Sequence, residues 1–179
     1  MAWTTPKTMG SEIGTSSDWN TYVRDNELYL YGVALGTLFS SVQLTRTAAT
    51  SINDSTYTAI TWTAEVFDFG GWWSSGTNIV VPSGAIPAGY TTIAVAMVAR
   101  TKFATSGTGN RAVQVLKNGS SFGRVSASGI SGDTTDLMIF EIVTVAAADV
   151  LTTEVWQTSG GALNVSQTQV SVYRIAPAT

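Results

Sequence analysis

Two acidic residues stand close to a tryptophan pair. Glu65 and Asp68 precede Gly70-Gly71 and Trp72-Trp73. Two carboxylates beside aromatic rings are the parts a glycosidase uses: one to protonate a leaving oxygen, one to stabilise the sugar cation, with rings to stack on the pyranose. A Trp pair next to glycines also fits a packed corner or a contact surface. Trp72 and Trp73 therefore stand as a candidate ligand contact, without a catalytic role. Asp133 and Asp136 flank a turn and could sit near a cation, because oxygen ligands suit calcium. Aspartate is equally at home in turns for its local hydrogen bonding. No third acidic ligand lies nearby, and no metal site is expected.

The remaining chemistry is excluded residue by residue. The chain has no His, which removes the commonest general base and metal ligand, and with it a serine-hydrolase triad. It has no Cys, so neither disulfides nor thiolate metal sites arise. Gly70-Gly71 and Gly107-Thr108-Gly109-Asn110 lack the strand–glycine–helix context that cradles phosphate. The expectation is a protein without catalysis and without a cofactor. Nine basic and 12 acidic residues give a net charge of −3 with no basic run, so nucleic acid is not an expected partner. No apolar run reaches the roughly 18 residues of a membrane span. No basic patch leads into an apolar core at the N-terminus, so no secretory signal is expected, and assembly in a cytoplasm is.

The elements that would position these residues are almost all strands. From Thr56 onward, β-branched and aromatic runs alternate with glycine, proline and asparagine punctuation. The expected strands include Tyr57–Trp62, Glu65–Phe69, Asn78–Val81, Thr91–Thr101, Ala112–Leu116, Ser121–Ser126, Leu137–Val145, Leu151–Gln157 and Val165–Ile175. Asn118-Gly119 is a hairpin signal, because a type I′ turn needs positive φ at both central positions. With no helices between the strands, a parallel α/β fold is excluded. Two packed antiparallel sheets or a barrel remain. Before them, Ser17 or Asp18 caps an expected helix running to about Tyr31, and residues 1–16 read as extended. The expected division is a docking arm and helix over 1–31, a linker over 32–55 and a β domain over 56–179.

The long strands are apolar on both faces. Ile93, Val95 and Met97 alternate with Ala94, Ala96 and Val98; Leu137, Ile139, Val143 and Val145 alternate with Met138, Phe140 and Ile142. A sheet with one wet face alternates apolar with polar. Here one face can fill a sandwich core and the other calls for a partner subunit. Composition agrees: charged residues are only 12% against 44% hydrophobic, about half the usual charged share.

Two resemblances follow from these residues. The run Asn78-Ile79-Val80-Val81-Pro82, then Ala88-Gly89-Tyr90, Arg111–Leu116 with Lys117-Asn118-Gly119, and Ala148-Asp149-Val150-Leu151 before Thr153-Glu154-Val155-Trp156-Gln157, resembles the C1q/TNF-type jelly roll in order over about Thr56–Ile175. Ala148 stands where that family has Gly, and Ser83–Pro87 are extra. The resemblance implies an all-β antiparallel jelly-roll sandwich and a compact homotrimer that binds partners without catalysis. The N-terminal segment Trp3-Thr4-Thr5-Pro6, Ser11-Glu12-Ile13-Gly14-Thr15, Asn20 and Arg24-Asp25-Asn26 is similar to that of bacteriophage structural proteins, especially tail-associated ones. Glu27 intervenes before Leu28, a departure from that pattern.

Together these imply a virion structural protein, assembled in the host cytoplasm. Its arm residues Trp3, Pro6, Trp19, Tyr22, Arg24, Asp25 and Asn26 would dock on other virion proteins of the capsid or tail. Buried aromatic anchors would supply the docking energy. The absence of a shaft repeat favours a capsid decoration, cement or head-appendage protein. A tail or tail-fibre component that binds a host receptor or surface glycan is the alternative.

Overall fold

The computed structural model describes residues 40–178. The expected arm and helix over 1–31, with Trp3, Pro6, Trp19, Tyr22, Arg24, Asp25 and Asn26, lie outside the described residues. The β-rich remainder pairs into two antiparallel sheets. Its strands are β1 (Ser41–Arg46), β2 (Thr50–Ile52), β3 (Thr58–Ala59), β4 (Ala64–Phe69), β5 (Ile79–Val80), β6 (Thr92–Phe103), β7 (Asn110–Lys117), β8 (Ser120–Ser128), β9 (Thr135–Ala146), β10 (Val150–Gln157) and β11 (Leu163–Ala178). One short 3-10 turn spans Ser83–Ala85.

The first sheet has the order β4-β1-β11-β6-β9, with β2 also on β11. The second has the order β3-β10-β7-β8, with β5 also on β10. Among the described strands the chain changes sheet after β2, β3, β4, β5, β6, β8, β9 and β10, and β7–β8 is the long hairpin within one sheet. That hairpin turns at Asn118-Gly119, with φ of 50° and 80° and Lys117 paired to Ser120, the geometry that asparagine and glycine tolerate best.

The core lies between the sheets. Ile93, Val95 and Met97 of β6 and Val170 and Val172 of β11 are fully buried from the first sheet; Val113 and Val115 of β7 and Leu151 and Val155 of β10 meet them from the second. Each such side chain contributes about 1.5–3 kcal/mol by leaving water.

The linker expected over 32–55 does not hold from residue 41 onward. Ser41–Arg46 is a central strand of the first sheet, paired to β11 on one side and β4 on the other. Its Val42 and Leu44 are fully buried. Only those two of its six residues are apolar, so the run reads as polar although its alternation is that of a half-buried strand. The strand expected over Tyr57–Trp62 shortens to Thr58–Ala59, yet Ile60 and Trp62 remain buried.

One end of the sandwich is closed by a buried cation. Arg111 is fully buried and donates from Nη1 to the carbonyls of Thr108 and Asn110 and from Nη2 to that of Ser106, at 2.9–3.0 Å. Burial pushes its pKa down from the usual arginine value. The contacts staple the β6–β7 loop to the strand it feeds, and satisfy three carbonyls that a loop would otherwise leave to water.

Candidate assembly interface

The second face of the first sheet is turned away from the core. Along β9, Met138 is 64% exposed, Phe140 58% and Ile142 58%. Register places Ala96 across from Ile142 and Val98 across from Phe140. On the other side of β6, Tyr173 lies across from Ala96. Phe69 pairs with Ser41, itself across from Tyr173. Phe67 and Phe69 stack with centroids 5.4 Å apart, and Phe67 tilts against Tyr173 at 6.4 Å. Ile175, the extra residue of a bulge between Arg174 and Ala176, is also exposed.

The result is an aromatic and aliphatic band across the sheet from β4 to β9. Taking about 180 Å2 for a large apolar side chain, Phe69, Met138, Phe140, Ile142, Tyr173 and Ile175 together present roughly 600 Å2. A soluble monomer rarely exposes a contiguous patch beyond a few hundred Å2. An ordinary subunit interface buries about 800 Å2 per partner. The band is therefore of the size of an interface core.

The other half of the same face is polar and internally satisfied. Gln43 donates to Ser171 Oγ at 2.9 Å. Arg100 forms a two-point pair with Asp136, Nη2 to Oδ2 at 2.6 Å and Nε to Oδ1 at 3.3 Å. The Asp136 carboxylate, by hydrogen bond and charge, raises the Arg100 pKa further above its usual value. An apolar band bordered by paired polar groups is the anatomy of an interface core with its rim.

The candidate chemistry of the sequence disperses. Asp68 accepts from the backbone N–H groups of Gly71, Trp72 and Trp73 at 2.9–3.1 Å. It is the cap of a turn rather than an acid facing a cleft. Trp72 is a correction to the expected ligand contact: it is fully buried, with its indole N–H donating 2.9 Å to Ser40 Oγ. No ring face is left for a sugar. Adjacent residues of an extended segment point to opposite sides, and Trp73 is accordingly half-buried at the core's edge, donating to the Gly76 carbonyl. Asp136 is held by Arg100, while Asp133 accepts from Thr134 in its own turn. Among the described residues no group of three or more acidic side chains converges on a metal-sized space.

Asp149 binds the hairpin to the next turn. Its Oδ1 accepts from Asn118 Nδ2 at 2.7 Å, its Oδ2 from the Ala146 N–H at 2.8 Å, and Lys117 Nζ stands 3.8 Å away. The Ala146 N–H, then Asn118, then the Lys117 charge hold its pKa below the usual carboxylate value.

With this geometry in view, neither a family model nor a curated protein matches the chain. Solved structures do. Murine APRIL superposes with a TM-score of 0.58 at 15% identity, covering 76% of this chain and 99% of that one. The globular domain of zebrafish complement 1qA gives 0.56 at 7%, over 78% and 99%. This is a TNF/C1q-like jelly roll. The vertex protein P5 of PRD1 shares it too, with a TM-score of 0.57 at 19% identity, over 78% and 99%. At these identities the likeness is one of fold. The jelly roll expected from the order of short motifs is the fold observed, and it begins earlier in the chain than those motifs did.

Proposed function

We propose that this chain is a non-enzymatic structural protein of a bacteriophage particle. Three copies join through the apolar faces of their first sheets, the arm over 1–31 docks the trimer on other virion proteins, and the jelly roll is displayed outward. The observation that carries the reading is the band of Phe69, Tyr173, Phe140, Ile142 and Met138, which stands exposed among the described residues. The similarity to a phage vertex protein supports a place on the particle, and the reading taken first is a decoration or head-appendage role. The tail-type character of the N-terminal segment favours a second reading, a minor tail component that contacts the host. Both use the same trimer and the same arm, with Trp3, Trp19 and Tyr22 as anchors.

Deleting residues 1–31 tests the docking half. The expected product is a folded oligomer that no longer enters particles, scored by quantitative mass spectrometry of purified virions. A truncated protein that enters particles at the full level contradicts it. Copy number in the same measurement separates the two roles, because decoration requires hundreds of copies and a tail part only a few.

A further inference from the structure

The outer face of the second sheet carries a cluster that neither the core nor the interface uses. Tyr57 and Trp156 lie with ring centroids 6.1 Å apart and planes 25° from parallel. Arg124 of β8 brings its guanidinium carbon 5.8 Å from the Tyr57 centroid and 5.4 Å from that of Trp156. The three distances are nearly equal, so the cation rests against both rings at once. Across the strand register, Trp156 faces Ala112, and Arg124 faces Gln114, which in turn faces Glu154. The small Ala112 lets the long side chains close over the sheet.

The cluster leaves its cation unspent. The one carboxylate in the adjoining register, Glu154, accepts a 2.6 Å hydrogen bond from Gln114 instead. Among the described residues, Arg124 makes no ion pair and no hydrogen bond. A guanidinium held against aromatic rings is partly desolvated on the side they cover, while N–H donors that no protein group engages remain available to a ligand. Those donors form the fork that receives a carboxylate at two points. Tyr57 and Trp156 retain partial exposure beside it, and the planar Gln114–Glu154 pair lies within the same face to meet hydroxyls. Charge fork, ring surface and planar polar pair side by side are what a sugar acid requires. A bare phosphate or a peptide terminus would use the fork alone.

We propose that Arg124, Trp156 and Tyr57 form a shallow binding site for an acidic saccharide, its carboxylate on Arg124 and its ring against the aromatic pair. The site lies on the opposite sheet from the assembly interface, so it stays open to the outside in an oligomer. It stands on the second sheet alone and holds whether or not the first sheet assembles.

Calorimetric titration of the full chain with a galacturonate trisaccharide, and with its carboxyl-reduced neutral counterpart, tests it. The acidic sugar is expected to bind in the millimolar range or tighter and the neutral one about tenfold more weakly, the loss of one charge-assisted pair. Arg124→Gln should lower affinity for the acidic sugar by about the same factor and leave the neutral one unchanged. Trp156→Ala should weaken both. Arg124 is exposed, so Arg124→Gln should melt with the parent protein, which keeps the comparison clean. No binding of the acidic sugar, equal binding of the two sugars, or an Arg124→Gln protein that binds as the parent does would each overturn the proposal.

Discussion

Phe140→Ala separates a ring that serves an interface from one that merely sits in water. Phe140 is 58% exposed in the single chain and points away from the core. A phenylalanine offers about 200 Å2, so about 115 Å2 of it is free for a partner to cover. At about 25 cal/mol per Å2 that burial is worth about 3 kcal/mol per copy. Alanine keeps a part of it, leaving a loss of about 2 kcal/mol per copy. A closed trimer repeats the contact in every copy, so the assembly weakens by about 6 kcal/mol, roughly four powers of ten in its association constant. In a protein that is a monomer, the same change on an exposed face falls within about 0.5 kcal/mol of neutral. Sedimentation velocity over a dilution series reads the difference directly, with the thermal midpoint as the control on folding. An unchanged mass distribution at every concentration, together with an unchanged midpoint, would refute the reasoning.

Three further outcomes follow from local geometry. Ala148 holds φ at 66°, where a Cβ is strained by about 1–2 kcal/mol. Ala148→Gly should therefore raise stability by about 0.5–1 kcal/mol after the added freedom of the unfolded chain is counted, measurable by urea titration. Gly109→Ala should do the opposite and lose at least about 3 kcal/mol, because φ is 70° and the new Cβ would fall 1.6 Å from the Thr158 carbonyl oxygen, a backbone atom with nowhere to go. Asp149 has a folded-state pKa below its unfolded one, so its contribution is present above the unfolded value and is lost as pH falls through the folded one. Asp149→Asn should accordingly lower the melting temperature at neutral pH, and the gap to the parent protein should close in acid as pH falls below the usual carboxylate range and through the folded value.

Much of this fold was legible because period-two patterning and turn chemistry are local. The two apolar faces of β9 can be read from Leu137 to Val145 directly, and Asn118-Gly119 announces its own hairpin. The strand Ser41–Arg46 was missed because only Val42 and Leu44 mark it, and burial by pairing on both sides is a property of the sheet rather than of the run. Trp72-Trp73 promised a ligand surface because adjacency in sequence hides direction. One ring enters the core and is tied to Ser40, while its neighbour stays at the edge. The Tyr57, Arg124 and Trp156 cluster was out of reach altogether, since β8, β10 and the residue that leads into β3 bring it together. The one local hint was Trp156 sharing the outward side of β10 with Thr152 and Glu154, an aromatic where alternation expects a polar residue.

The claim on which the account rests is that the outer face of the first sheet joins copies of this chain. Native mass spectrometry of the full chain at micromolar concentration measures this most directly. The account predicts a species of three times the 18.8 kDa chain mass that falls to single chains on Phe140→Ala. A parent protein that remains at 18.8 kDa across the accessible concentration range would contradict it.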